Sequence, residues 1–484
     1  MVDQAQEMGS RRALRWYDYI TVNVNWFALT TRSQVLTALL LPLLVQRFIG
    51  EASKGEAVGT MRLWGLMVAL LIQALMGIFS DRLRSRWGRR RPFIFFGALV
   101  EVLVFLLIGF STDLQGTTGY WVLFTLNILS MVGSNASQAA TQGLIPDLVP
   151  DAKKGRFSGI KAALELPIPL IFVSFVAGPM VAKGNLWGAL LALIVVLVVC
   201  MLLSMLVPER AISRAPTPIN WQPVLRLLAM TAVFTGIILG MREVVKWVIR
   251  GVVGMGANAA LLLVGGVGLL TMGIAISLGV WLSIRVSIGD QADRDSSFTW
   301  WTINRLAFLV GANNLASFVL FFLQEKFDDF SGNAAAGPAS RILMFVGIFI
   351  LLTAIPSGWL ADRVGKKLLI TLAGILAAIG TGVIVLTSSL NSVYIGACII
   401  GAGVGLFYSS SWALGTEIVP RERAGQFLGI SNLAGAGAGA VGAYIGGPIA
   451  DSASYVLLMS IYGLIMLLSI AAIARVREPA PMEV

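Results

Sequence analysis

A stretch of about twenty residues with almost no charge has few stable environments besides a lipid bilayer, whose hydrocarbon core about 20 helical residues can cross. This chain contains such stretches from end to end. They run near residues 23–47, 61–80, 92–111, 119–145, 158–182, 186–207, 224–241, 258–284, 298–324, 341–361, 367–388, 393–416, 424–449 and 454–474, fourteen in all. After the seventh, MREVVKWVIRG (241–251) is charged enough to be expected as an interfacial turn. Strands of a membrane barrel alternate apolar and polar residues over about ten positions, and these stretches do not. Backbone polar groups in lipid have to be satisfied within their own segment, which leaves helices. An all-α, polytopic membrane protein follows. Its charged content of 13% contrasts with about 25% in soluble domains.

The net charge of +11 does not point to nucleic acid, because no basic stretch sits in a soluble domain. The basic residues collect in alternate loops. GIFSDRLRSRWGRRRPFIFFG (77–97) alone carries six arginines between two apolar segments. The positive-inside rule then expects both termini in the cytoplasm, with the arginine loop drawn to anionic membrane lipids and Arg62 in an outside loop. Residues 1–20 show no cleavable signal pattern, so the first span is expected to direct insertion. Cys200 and Cys398 lie in apolar runs and are expected as inert thiols. The chain has no histidine, which excludes a His-based metal site or proton relay.

The sequence repeats itself. GIFSDRLRSRWGRRR (77–91) has an echo in SGWLADRVGKK (357–367), LLVQRF (43–48) in FLQEKF (322–327), and IPDLVPDAKKGRFSGI (145–160) in GTEIVPRERAGQFLGI (415–430). Three matches in one order imply two six-helix halves. The expected division is 1–210, a linker with two extra spans over 211–296, and 297–484. Two parallel six-helix repeats are the arrangement of major facilitator transporters.

The residues make the resemblance specific. Gly77-x-x-x-Asp81-Arg82 followed by Gly88-Arg89-Arg90 resembles the signature loop of the major facilitator superfamily. The longer pattern, Gln73, Gly77, Ser80-Asp81-Arg82, Ser85-Arg86 and Gly88 through Ile94, resembles the sucrose-transporter branch of the glycoside–pentoside–hexuronide:cation symporters. The resemblance implies a major facilitator fold of two pseudo-symmetric halves, here with two extra central helices, fourteen in total. It also implies a latch. Gly77 and Gly88 admit close backbones, and Asp81 neutralises the positive N-terminal end of a helix in the other half. Arg82, Arg86 and Arg89 belong to the same loop, with Asp362 and Arg363 as the weaker counterpart. Asp147 and Glu417 are expected to exchange partners among Arg86, Arg156 and Arg423.

Ionisable groups at bilayer depth are costly and therefore functional candidates. Arg32 lies in mid-span 1 and Glu101 in mid-span 3. Glu101 is the expected ion-coupling residue, with a proton as the coupling ion. Lys161 and Glu165 stand four apart and are expected to pair structurally. Span 4 carries Asn127, Ser134, Asn135, Gln138 and Gln142 as one polar stripe. Amides that donate and accept suit sugar hydroxyls. Gln34, Asn313 opposite it in the repeat, Tyr408 and Trp412 complete the expected substrate contacts, together with Arg32. Trp16, Trp300 and Trp301 are expected as interfacial anchors. The run GAGAGAVG (435–442) lies inside an apolar span and reads as close helix packing.

The chain departs from the family it resembles. Aligned on Asp147, sucrose transporters have an Asp where this chain has Met131 and an Arg where it has Gln142, a pair that the family links to proton coupling and sugar binding. Asn135 and Gln138 do match. The sodium-coupled melibiose permeases have acids where this chain has Ala69 and Gln73. The expected function is a secondary transporter for a small polar, glycoside-like solute, acting as a monomer by alternating access, with a proton and without a cofactor or bound metal. The rivals are a drug or amphipathic-metabolite exporter and a non-transporting assembly or lipid-handling protein. An enzyme is not expected, because the chain offers no Ser/His pair, phosphate loop or metal cluster.

Overall fold

The computed structural model describes residues 15–209, 221–288, 296–419 and 424–477, with the side chains of 151–152, 362 and 424–433 outside the described set. The described residues form fourteen long helical segments. These are α1 (Asp18–Ile49), α2 (Lys54–Arg82), α3 (Arg91–Ser111), α4 (Gly116–Gln142), α5 (151–182), α6 (Leu186–Ser204), α7 (Gln222–Gly251), α8 (Ala257–Ile288), α9 (Ser296–Lys326), α10 (Ala336–Val364), α11 (Lys366–Leu386), α12 (Leu390–Ile418), α13 (Ala424–Ser452) and α14 (Tyr455–Ala474). Twelve of them are long and apolar enough to cross a membrane. The other two are α4, which carries the amide stripe, and α13, whose first ten side chains lie outside the described set.

Helix packing is paired between α1–α6 and α9–α14. The contacts of α2 with α4, α3 with α4, α3 with α6 and α1 with α6 recur as α10 with α12, α11 with α12, α11 with α14 and α9 with α14. The two groups meet where α2 packs on α13 and, by the same relation, where α10 packs on α5. The additional helices α7 and α8 pack on each other and on α13, with α7 also touching α2 and α8 touching α9 and α14.

The segment 241–251 is no interfacial turn. It completes the 30-residue helix Gln222–Gly251. Two of its charges are met inside the bundle: Arg242 and Lys246 both bond Glu56 of α2, and the Arg242 guanidinium lies 4.3 Å over the Tyr444 ring of α13; Glu243 and Arg250 are exposed. Trp301 is no anchor either. It is 2% exposed and donates from Nε1 to the Ser411 carbonyl at 2.9 Å, which wedges α9 against α12. Trp16, at 77% exposure, has the accessibility an anchor needs. In the GAGAGAVG run, Gly437 approaches Phe234 of α7, Gly439 approaches Leu66 of α2, and Gly442 approaches Asn314 of α9. The small residues let α13 touch three neighbours at once.

The two groups are sealed at one end. There α2 and α13 are so close that a Cβ at Gly59 would lie 2.3 Å from the Ala443 carbonyl oxygen. Asp451 accepts from the backbone N–H of Gly55 and Glu56 at 2.9 and 2.8 Å. Gln324 donates to Gln46 at 3.0 Å, and Lys54 donates to Gln324 at 3.3 Å. At the opposite end, which bears the arginine loop and is called the basic end below, a Cβ at Gly77, Gly155 or Gly159 would meet nothing within 4 Å. The described residues thus hold the bundle shut at the far end.

Candidate functional site: a central cavity with one polar and one apolar wall

Two cavities meet at the centre of the bundle. One, of about 220 Å³, lies against α1, α2 and α4 and is lined by Arg32, Asn127, Ser134, Asn135 and Gln138, among others. The second, of about 310 Å³, lies against α9, α10 and α12 and is lined by Gln34, Asn313, Val346, Ile350, Val404 and Tyr408, among others. Ser33, Thr37 and Arg62 line both, so the two lie side by side around these three residues. Beside it, α1 is wound as a π-helix over Val35–Leu40. Such wide turns are frequent at functional sites.

The walls differ in chemistry. With Asp147 aligned on Glu417, as the repeat has them, Asn127 corresponds to Ala397, Ser130 to Ile400, Ser134 to Val404 and Gln138 to Tyr408. The stripe that is polar on α4 is apolar on α12 until it reaches the tyrosine. A solute with a polar face and an apolar face matches this arrangement better than a uniformly polar one.

Behind the polar wall, Arg32 and Glu101 form an ion pair, Nε to Oε2 at 2.9 Å, with side chains 5% and 2% exposed. Ser130 donates to Glu101 at 2.9 Å and also contacts the Arg32 Nη2. Each charge buried this deeply is tolerable because the other, with the hydroxyl, satisfies it. Arg32 lines the cavity and Glu101 stands behind it. Asn127 donates weakly to the Met61 carbonyl at 3.4 Å, and its own oxygen has no partner among the described residues. Asn135 donates to the Met131 carbonyl of its own helix at 2.8 Å.

Not every expected contact arrives at the cavity. Gln142, the last residue of α4, is exposed and lines neither part. Trp412 is 42% exposed and has the Arg305 guanidinium 5.1 Å over its ring instead. Lys161 and Glu165 do pair, at 3.4 Å, and the ammonium lies 4.1 Å over the Trp26 ring. Arg62 does not lie in a loop. The helix begins at Lys54, earlier than the hydropathy suggests, because Gly55 and Gly59 pack on α13 there and not in solvent.

The arginine loop makes its described contacts on its own side of the molecule. Arg90, 6% exposed, is its hub. The guanidinium reaches Asp81 at 2.6 Å, Asp147 at 3.0 Å and the Ser80 hydroxyl at 2.7 Å. Arg89 reaches Asp147 at 2.5 Å. Gly88 has φ +94°, and a Cβ there would lie 2.4 Å from the Glu209 carboxylate. Glu209 accepts from the backbone N–H of Arg90 and Arg91 at 2.9 and 3.1 Å, which caps the N-terminal end of α3. Burial pushes the Glu209 carboxyl up from its ordinary range, and those N–H bonds pull against it. Asp147 therefore takes Arg89 and Arg90 here, whereas Arg86 and Arg156 are exposed. Glu417 takes Lys366 at 2.7 Å. Arg82 donates to the Ile78 carbonyl at 3.2 Å, and the Arg363 guanidinium covers the Trp359 ring at 3.8 Å. The Asp362 side chain and Arg423 lie outside the described residues. Glu209 and Asp451 have no sequence signal beyond being acids next to apolar runs.

Comparison with known proteins agrees with this architecture. The family model of the Major Facilitator Superfamily matches residues 306–484. Sucrose transport protein SUT1 of Oryza sativa subsp. japonica is 41% identical over 59 residues, 12% of this chain and 11% of that protein. Sucrose transport protein SUC3 of Arabidopsis thaliana is 42% identical over 52 residues, 11% of this chain and 9% of that protein. The matched stretch thus spans about a tenth of the length of these relatives. Among solved structures, the peptide transporter POT in complex with sulfate superposes with a TM-score of 0.66 at 15% identity, covering 99% of this chain and 100% of that one. The nucleoside transporter NupG gives 0.63 at 10% identity, covering 95% and 100%. At these identities the likeness is one of fold.

Proposed function

We propose that this polytopic membrane protein, which has the major facilitator fold and resembles the sucrose-transporter branch of that superfamily, is a secondary transporter working by alternating access. Its cargo in this reading is a small, polar, glycoside-like solute, moved together with a proton by a single chain that uses no cofactor. The observation that supports it best is the central site itself, walled on one side by Arg32, Asn127, Asn135 and Gln138 and shut at the far end. Amides and a guanidinium converging on a recessed site suit hydroxyl-rich solutes. With the termini and the arginine loop in the cytoplasm of a cell membrane, this conformation faces inward.

Glu101 is the group we assign to the proton. Its carboxylate is shut from water and balanced by one arginine and one hydroxyl, so neutralising it releases Arg32 toward the cavity. Occupancy of the polar wall and protonation behind it then act on the same side chain. The far-end clamp and the arginine loop serve as the two gates.

The test is uptake into proteoliposomes with an imposed inward proton gradient, across a panel of mono- and disaccharides and aryl glycosides. Accumulation of one sugar class, lost when the gradient is collapsed, is the expected outcome. A response confined to lipophilic cations shifts the reading to the amphipathic-metabolite exporter, which the apolar wall of Val346, Ile350 and Val404 favours.

A further inference from the structure

Arg62 is the one residue of α2 that lines both parts of the central cavity through a charged side chain. Its Nη2 lies against α13, 3.0 Å from where a Cβ on Gly439 would be. Its Nε is closed off from solvent and has no acceptor. Among the described residues it makes no hydrogen bond and no ion pair.

Four acids of the surrounding helices are bonded elsewhere. Glu56, two turns earlier on the same helix, is bonded by Arg242 and Lys246. Asp451 is occupied by the N–H groups of Gly55 and Glu56 and by the Tyr455 hydroxyl at 2.9 Å. Glu101 belongs to Arg32, and Glu165 to Lys161. Arg305 on α9 also has unpartnered nitrogens, Nε and Nη1, but its guanidinium lies between two indole rings, 5.8 Å from Trp301 and 5.1 Å from Trp412. Cation–π contact offsets part of its burial. Among the described residues Arg62 has no ring over it; its Nε is closed off without an acceptor and the rest of the group faces the cavity it lines, where polar and apolar walls join.

A recessed guanidinium without a counter-charge is open to one, and its planar fork matches a two-oxygen anion better than any neutral group. We propose that the cargo carries an oxyanion, a carboxylate or sulfate-like group, and that Arg62 is the residue that takes it. The cargo then lies with its hydroxyls on the α4 wall, its apolar part on the α10 and α12 wall, and its charge at Arg62. This inference rests on the reading of the central cavity as the cargo site.

The test uses the full chain in lipid nanodiscs and two matched pairs of probes. One pair is phenyl β-D-glucoside and its 6-O-sulfate. The other, without sugar, is 4-phenylbutanol and 4-phenylbutyrate. Affinities are measured calorimetrically for the wild type, Arg62→Gln and Arg62→Lys, with elution and melting of each variant checked against the wild type. The wild type is expected to bind the anion of a pair at least about tenfold more tightly than its neutral partner, about 1.4 kcal/mol. Arg62→Gln is expected to erase that advantage, read as the ratio of the two affinities within each pair. Arg62→Lys is expected to retain part of it, since it keeps a point charge and loses the fork. Equal affinities within both pairs, or an advantage that survives Arg62→Gln, overturns the assignment, while binding of the neutral glucoside keeps the glycoside reading standing. An Arg62-dependent preference confined to phenylbutyrate upholds the oxyanion and overturns the glycoside. Failure of all four probes to bind overturns both.

Discussion

Asp451, near the end of α13, accepts hydrogen bonds from the backbone N–H of Gly55 and Glu56 at the start of α2. A carboxylate from one group of helices thereby caps a helix of the other. The first N–H groups of a helix have no partner within it and carry partial positive charge, so the bond is both a cap and a clamp. This is the chemistry expected of Asp81 at the basic end, found instead at the end that is shut. Asp81 itself is bonded to Arg90 within its own group of helices.

Asp451→Asn keeps the shape and removes the charge. Hydrogen bonds to charged groups contribute about 1.5–3 kcal/mol, so the far end is expected to open about tenfold or more often. A cysteine placed by Thr37→Cys, on the cavity wall, reports this as faster labelling by a membrane-impermeant thiol reagent added from the far side. An unchanged rate would remove Asp451 from the gate.

The Arg32–Glu101 pair makes a thermodynamic prediction apart from transport. Removing one member of a buried pair leaves the other uncompensated, at about 3–5 kcal/mol. Glu101→Gln is therefore expected to lower thermal stability, and the double variant Glu101→Gln/Arg32→Gln to recover part of the loss. In proteoliposomes Glu101→Gln is expected to lose gradient-driven accumulation and keep exchange of solute for solute. Intact accumulation would refute the coupling role.

Two glycines of the arginine loop are expected to behave oppositely. Gly88→Ala puts a side chain at φ +94° and against the Glu209 carboxylate. Left-handed backbone alone costs about 1–2 kcal/mol for a residue with a Cβ, so a clear drop in melting temperature is expected. Gly77→Ala meets nothing within 4 Å among the described residues and is expected to leave stability unchanged while slowing transport, since α2 has to close on its partner in the opposite state. Equal stability losses in the two variants would contradict this account of the loop.

Asp81→Asn is expected to reach the membrane in normal amounts, because Arg90 keeps Asp147, Ser80 and Glu209 as partners. Its transport rate is expected to fall at least about tenfold. Full transport by the variant would dismiss the latch.

The helices were legible because bilayer depth and backbone satisfaction leave one solution for runs this long. Arg32 and Glu101 stood out as charges in the middle of such runs, yet their pairing depends on how α1, α3 and α4 are placed, which no periodicity encodes. Arg62 was misread for a definite reason. The stretch EAVGTMRLWG looks like a loop entering a helix, and only the close seating of Gly55 and Gly59 on α13 puts it inside the bundle. The same misjudged boundary hid Asp451, whose role exists only because α2 starts beside it. Charge at 241–251 suggested solvent, whereas Glu56 and Tyr444 supply its partners from other helices. Arg90 read as one of six equivalent topogenic charges. Its burial singles it out, and burial is a tertiary property.

The cavity's unequal walls carry a consequence for how such a molecule diversifies. An ancestral duplication starts with two interchangeable copies. Here one group of helices carries amides and charges on its inner stripe, and the other carries branched aliphatics and a tyrosine at the matching positions. In the proposed reading, recognition and ion handling are concentrated on one group of helices, so the other is free to drift in shape without disturbing either. New cargo size or greasiness can be acquired by editing α10 and α12 alone. The two copies, still alike in outline, are no longer exchangeable parts.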